Sequence, residues 1–281
     1  MSDLNIQVID YQSAEAPVKF TRSLKETGFA AIQNHPIDMD LVTDVYQEWE
    51  NFFQSDYKHH YKFHPEKQDG YFPFGIEHAK DYSQKDLKEF YHIYPWGRYP
   101  QEISLKTREL YQYLCDLTGT LLTWVEKNTP EEIRRNFSIP LEEMTINSPR
   151  NLLRVIHYPP LRETDDPDEV RAAAHEDINL LTVLCSATAS GLQAQDLKGS
   201  WHEVPCDSGM LAVNTGDMLQ MASTGYFPST THRVINPPGE DQQTSRMSMP
   251  LFLHPHDYVQ LSDTHTAGSY LTERLEEIGL I

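Results

Sequence analysis

Basic residues are in short supply in this chain: 23 Lys and Arg stand against 42 Asp and Glu over 281 residues, a formal net charge of -19. Nucleic acid and anionic membrane surfaces both demand clustered positive charge, so neither is expected as the main partner. Cysteine is scarcer still. Cys115, Cys185 and Cys206 make an odd total of three with no Cys-x-x-Cys pair, which argues against a disulfide framework and fits a reducing compartment. Cys185 lies in an apolar run and is expected in the core. There is no apolar stretch of about 18 residues, the length a spanning helix needs. Nor does Met1–Ile6 carry a basic segment leading into an apolar one. These absences lead to the expectation of a soluble, cytoplasmic protein; its oligomeric state is left open, with a monomer favoured. No linker rich in Gly, Ser or Pro divides the chain, so a single domain over 1–281 is expected.

The first half reads as scaffold. Ile6–Asp10 alternates like a short strand, and Val18–Gly28 has amphipathic spacing that closes on a glycine. Phe29–Pro36 reads as a strand and turn. Met39–Phe53 reads as a helix with Leu41, Val45 and Trp49 on one face. Ser104–Asn128 repeats Leu110, Leu114, Leu117, Leu121 and Val125 at helical spacing, and Pro130 opens a shorter helix to Phe137. Asp86–Tyr94 fits a short strand or a helix equally. Gly70–Gly75 reads as a loop laying aromatics over a pocket, and His59 and His60 as surface or packing residues.

After Pro149 the pattern changes to short strands: Leu152–Tyr158, Ile178–Ser186, Gly191–Asp196, Trp201–Val204, Met210–Asn214, Gly216–Ala222, His232–Ile235 and Ser248–Leu253. This spacing predicts a jelly roll or barrel. The expected organisation is a helix-rich support over 1–149, a jelly-roll core over 150–255 and a C-terminal helix over 256–281. The charged run Glu163–Glu169 is expected to be a solvated excursion.

Within the strand-rich half, His175-Glu176-Asp177 leads into the apolar run Ile178–Leu184. Such a triplet is expected about once by chance in a chain of this composition, so alone it carries nothing. In a strand, however, residues two apart share a face, and His175 and Asp177 then converge on one point. His232 supplies a third ligand type. Two imidazoles and one carboxylate leave three adjacent coordination positions open, the arrangement of non-haem Fe(II) centres that activate O2. Three His with one open position would instead point to zinc hydrolysis. Arg246 and Ser248 also lie two apart, so a guanidinium fork and a hydroxyl face the same way, a pair suited to grip a carboxylate. Arg154, Ile156 and Tyr158 share a face of their own strand.

Several motifs in this order resemble the isopenicillin N synthase-like branch of the 2-oxoglutarate/Fe(II)-dependent oxygenases. They are Arg154–Pro160, His175-Glu176-Asp177, Val213–Asp217, Ser229–Val234 and Arg246-x-Ser248. The likeness extends to Gly28-Phe29 with Asn34-His35, to Gly70-Tyr71 with Glu77-His78-Ala79, and to Tyr270-Leu271 with Ile278-Gly279-Leu280. It implies a mainly β fold with α, a double-stranded β-helix (jelly roll) supported by N-terminal and central helices. His175, Asp177 and His232 would ligate Fe(II). Arg246, Ser248 and Tyr158 would bind the distal carboxylate of 2-oxoglutarate, which O2 cleaves to succinate and CO2 as a small organic substrate is oxidised, most commonly by hydroxylation. The expected pocket wall is Tyr71, Phe74, Arg154, Ile156, His157, Tyr226 and Phe252, with Arg154 toward a substrate carboxylate.

Two residues depart from the family pattern. Ile156 stands where many members carry an Asn that helps hold the co-substrate, and Pro36 replaces the usual glycine after Asn-His. Three other readings stay open at this level: an oxidase of the isopenicillin N synthase type that uses no 2-oxoglutarate, a non-catalytic 2-oxoglutarate-binding module, and a zinc-dependent hydrolase.

Overall fold

The computed structural model describes residues 4–75, 86–162 and 169–277. The Glu77-His78-Ala79 and Ile278-Gly279-Leu280 motifs and nearly all of the Glu163–Glu169 run lie outside them. In chain order the elements are β1 (Val8–Asp10), α1 (Ala16–Thr27), β2 (Phe29–Gln33), α2 (Met39–Gln54), β3 (Gly70–Phe72), β4 (Glu89–Ile93) and α3 (Lys106–Asn128). Next come α4 (Glu131–Arg134), α5 (Leu141–Thr145), β5 (Leu152–Tyr158), β6 (Ala172–His175), β7 (Leu181–Cys185), β8 (Leu192–Gln195), β9 (Trp201–Glu203) and β10 (Leu211–Thr215). The last are α6 (Asp217–Ala222), β11 (His232–Val234), β12 (Arg246–Ser248), β13 (Pro250–Leu253) and α7 (Ala267–Glu277).

Among the described residues, nine strands form a large sheet in the order β1-β2-β10-β7-β13-β5-β4-β3, with β12 also on β5, and β6-β11-β8-β9 form a smaller one. The two pack face to face as a jelly roll. Period-two alternation sorts the side chains of the large sheet. Leu153 and Val155 of β5, Leu181, Val183 and Cys185 of β7, Leu211 and Val213 of β10, Met247, Leu251 and Leu253 face the helices and join one core with α1, α2 and α3. The opposite face looks into the roll. There Ile156 and Tyr158 meet Ala172 and Val234 of the small sheet, while Phe29 and Ala212 meet Ala194.

The helices cover the outer face for reasons visible in their spacing. On α3, Leu110, Leu114, Leu117, Leu121 and Val125 recur at three or four and are buried. Each such side chain stabilises by about 1.5–3 kcal/mol relative to exposure. Helix α1 stops at Gly28, whose φ of +69° lets its N–H bond the carbonyl of Leu24.

The structure corrects four expected elements. Gly216–Ala222 is a helix, not a strand, because Met218, Leu219 and Ala222 are buried at helical rather than alternating spacing. The strand expected from Ile178 begins only at Leu181. Gly70–Phe72 is a fully buried strand on β4, with Phe72 stacked between Phe63 and Phe90, not an open loop. The short helix after Pro130 ends at Arg134. Asp86–Tyr94, open at the sequence level, contains strand β4, because its backbone pairs with β3 and β5.

Candidate active site

The small sheet assembles the candidate metal ligands. Strands β6 and β11 run antiparallel with His175 directly opposite His232, which leaves their ring centroids 4.4 Å apart. Asp177 does not lie on the strand with His175, as the alternation argument expected. It sits in the turn after β6, and the first turn of α6 holds that turn from behind. There Asp217 N–H donates to the Asp177 carbonyl at 2.7 Å and Met218 N–H to that of Asn179 at 3.2 Å. This approach is so close that a Cβ on Gly216 would run into the Asn179 carbonyl oxygen, so glycine is required there.

Hydrogen bonds set the direction of every donor atom. His175 Nδ1 is 2.7 Å from the Ala173 carbonyl and His232 Nδ1 is 3.1 Å from the Thr230 carbonyl. A carbonyl can only accept, so each Nδ1 carries a proton, and in the neutral ring this leaves the lone pair on Nε2. Those two Nε2 atoms lie 3.9 and 3.7 Å from the same oxygen, Asp177 Oδ1. The other carboxylate oxygen is already engaged: Asp177 Oδ2 accepts from Thr182 Oγ1 at 2.6 Å and from Asn214 Nδ2 at 2.7 Å. Burial alone would raise the Asp177 pKa, but the two imidazoles and these hydrogen bonds outweigh it and hold the group below the ordinary aspartate value. Three donor atoms thus lie within 4.8 Å of one another and converge on one point. The set fits a divalent metal of the Fe(II) type, with open positions for other ligands.

The inner face of the large sheet carries the residues expected to grip a carboxylate. Arg246 is opposite Tyr158 and Ser248 is opposite Ile156 across the β12–β5 ladder. The Arg246 guanidinium sits 5.1 Å above the Tyr158 ring, and its Nε donates to the Ala189 carbonyl at 2.9 Å. Both Arg246 and Ser248 are buried, and Arg246 Nη1 has no hydrogen-bond partner among the described residues. A planar cation with an orphaned N–H inside the roll is prepared for an anion.

Beside the triad a cavity of about 400 Å³ opens, walled by His175, Asp177, Arg154, Phe252, His254 and, from α7, Leu271 and Leu275. His92 orients Arg154. Its Nδ1 donates to the Gln68 carbonyl at 2.8 Å, so its Nε2 is free to accept from Arg154 Nε at 2.8 Å. The guanidinium is also held between the rings of Phe90 and Phe252, at 4.5 and 5.4 Å. Burial pushes the His254 pKa down to about 4, which keeps its imidazole neutral.

Of the seven residues expected at the pocket wall, Arg154 and Phe252 are in it. Tyr71 and His157 are not, because alternation turns them to the helix side. There Tyr71 Oη donates to Glu89 at 2.5 Å, while His157 Nδ1 lies 2.8 Å from the same carboxylate and its ring stacks on Phe53. Ile156 is deeper in the roll, against Phe72, Phe90 and Tyr158. Phe74 lies against Arg162 and Tyr226 against Lys25, and neither lines the cavity. Sequence reasoning missed Thr182, Asn214, His92 and His254. Asn214 alone had a usable signal, its place beside Gly216 in a motif already singled out.

Comparison with known proteins agrees with this geometry. The model of the 2OG-Fe(II) oxygenase superfamily matches residues 149–255, and that of the non-haem dioxygenase in morphine synthesis N-terminal region matches residues 6–112. A structure from Shewanella oneidensis described as an oxygenase shares 49% identity, covers 99% of this chain and 100% of its own, and superposes with a TM-score of 0.90. A 2OG-Fe(II) oxygenase family protein from Caulobacter crescentus shares 27% identity over 97% of this chain and 99% of its own, with a TM-score of 0.81. Gibberellin 2-beta-dioxygenase 3 of Arabidopsis thaliana is 28% identical over 265 residues, 89% of this chain and 75% of its own length.

Proposed function

Because this chain belongs to the 2OG-Fe(II) oxygenase superfamily, and is an Fe(II)/2-oxoglutarate-dependent dioxygenase, we propose that it hydroxylates a small organic molecule bound in the cavity beside His175 and Asp177. The single observation that carries this reading is the convergence of two Nε2 lone pairs and one carboxylate oxygen on the edge of a cavity of about 400 Å³. Bound there by His175, Asp177 and His232, Fe(II) would supply the means to activate O2, with succinate and CO2 formed from 2-oxoglutarate.

The protein's own residues hold the reactants. Thr182 and Asn214 keep one Asp177 oxygen occupied so that the other stays directed at the metal. Arg246 and Ser248, on the inner face, bind the distal carboxylate of 2-oxoglutarate, with Tyr158 as the apolar floor under the guanidinium. Arg154, aimed by His92, faces an acidic group of the substrate, and Phe252 with Leu271 shields the reacting carbon from water. Anaerobic addition of Fe(II) and 2-oxoglutarate should give the weak visible charge-transfer band of the chelate, and His175→Ala should abolish it. Metal-replete protein that gives neither this band nor succinate with any substrate in a broad panel defeats the proposal.

A further inference from the structure

Arg246 is not the only buried guanidinium in the roll. Arg171, the residue before β6, is 1% exposed, and its guanidinium lies 6.0 Å from the same Tyr158 ring over which Arg246 stacks. Two contacts anchor it to the chain between β11 and β12. Its backbone N–H donates to Asn236 Oδ1 at 3.1 Å and its Nη2 to the Thr244 carbonyl at 2.8 Å. Its remaining groups, Nε and Nη1, are buried with no partner, as is Arg246 Nη1. Neither arginine forms an ion pair among the described residues.

An arrangement of two desolvated like charges sharing one aromatic ring opposes folding unless something compensates it. Burial and the neighbouring Arg246 both work against the charge on Arg171 and lower its pKa, yet a guanidinium stays charged in proteins. A single carboxylate would meet the need. It neutralises both cations, accepts the orphaned N–H groups and fits the planar fork of a guanidinium.

We infer that Arg171 is a second carboxylate-binding residue of the co-substrate site, so that Arg171 and Arg246 together hold the distal carboxylate of 2-oxoglutarate above Tyr158. The inference rests on the assignment of Arg246 to that carboxylate. It also accounts for Ile156, since a second cation on the opposite sheet replaces the grip that an amide at that position would add.

The test is binding of two 2-oxo acids by Fe(II)-loaded protein under anaerobic conditions, followed by calorimetry. The probes are 2-oxoglutarate and 2-oxovalerate, which has no distal carboxylate. Arg171→Gln should weaken 2-oxoglutarate binding about 10- to 100-fold, the range for a charge-assisted contact, and change 2-oxovalerate binding less than about two-fold. The rise in Tm that saturating 2-oxoglutarate gives the wild type should shrink in parallel. Equal weakening toward both acids, or an unchanged 2-oxoglutarate Kd, overturns the inference. If the glutamine variant does not fold, Arg171→Lys keeps the charge without the fork and should show the same selectivity with a smaller loss. Wild-type protein that binds the two acids equally would defeat the Arg246 assignment itself, an outcome distinct from a silent Arg171.

Discussion

Asn214 Nδ2 lies 2.7 Å from Asp177 Oδ2, the carboxylate oxygen that does not face the two imidazoles. The pair links β10 of the large sheet to the turn that follows β6 of the small one, so one amide sets the direction of the proposed metal ligand across the interior of the roll. Asn214→Ala should therefore weaken Fe(II) affinity about 10- to 100-fold, the usual effect of losing a group that orients a ligand. Activity should recover as Fe(II) is raised. A metal titration with unchanged Kd alongside a fallen kcat would contradict this role.

Gly216 makes the same linkage from the backbone side. A Cβ there would overlap the Asn179 carbonyl, and the N-terminal turn of α6 would have to retreat from Asp177. Gly216→Ala should destabilise the protein by about 2 kcal/mol or more, read as a lower denaturant midpoint, and should weaken metal binding as well. Full stability in that variant would refute the close-approach argument.

Arg154 is held by His92, Phe90 and Phe252 at the cavity wall. With the best substrate from the panel, Arg154→Gln should raise KM about ten-fold or more, as expected for a lost charged hydrogen bond, and leave the KM for 2-oxoglutarate unchanged. A KM for substrate equal to that of the wild type removes Arg154 from substrate binding.

Glu89 gathers Lys58, Tyr71 and His157 on the far side of the sheet from the cavity. Burial would raise its pKa, but the hydrogen bonds from His157, Tyr71 and Lys58 bring it below the ordinary glutamate value. The unfolded chain therefore takes up its proton at higher pH than the folded one. The resulting stability is fully present above the ordinary glutamate range and is lost as pH falls through the depressed folded value. Glu89→Gln should cost about 2–4 kcal/mol near neutral pH, and its unfolding midpoint should approach that of the wild type in acid. Tyr71→Phe should likewise lower stability and leave substrate KM unaltered. A changed KM would return Tyr71 to the pocket.

Much of this protein is determined locally and can be read along the chain. Helical spacing carries α1, α2 and α3 because each buries one face at a period that its own sequence displays. Alternation puts Arg246 and Ser248, or Arg154 and Tyr158, on one side of a strand whatever lies across from it. The His-x-Asp triplet with a later His marks a candidate metal site by residue type, and the motifs that accompany it lift it above chance. The tertiary structure decided what depends on partners far away in sequence. Asp177 converges on the imidazoles because α6 grips its turn, and α6 reads as a strand until its packing is known. Tyr71 and His157 serve Glu89 instead of a pocket because the pairing of β3, β4 and β5 turns them toward the helices. Arg171 and Arg246 lie 75 residues apart, and only the packing of the small sheet on the large one brings both to the ring of Tyr158.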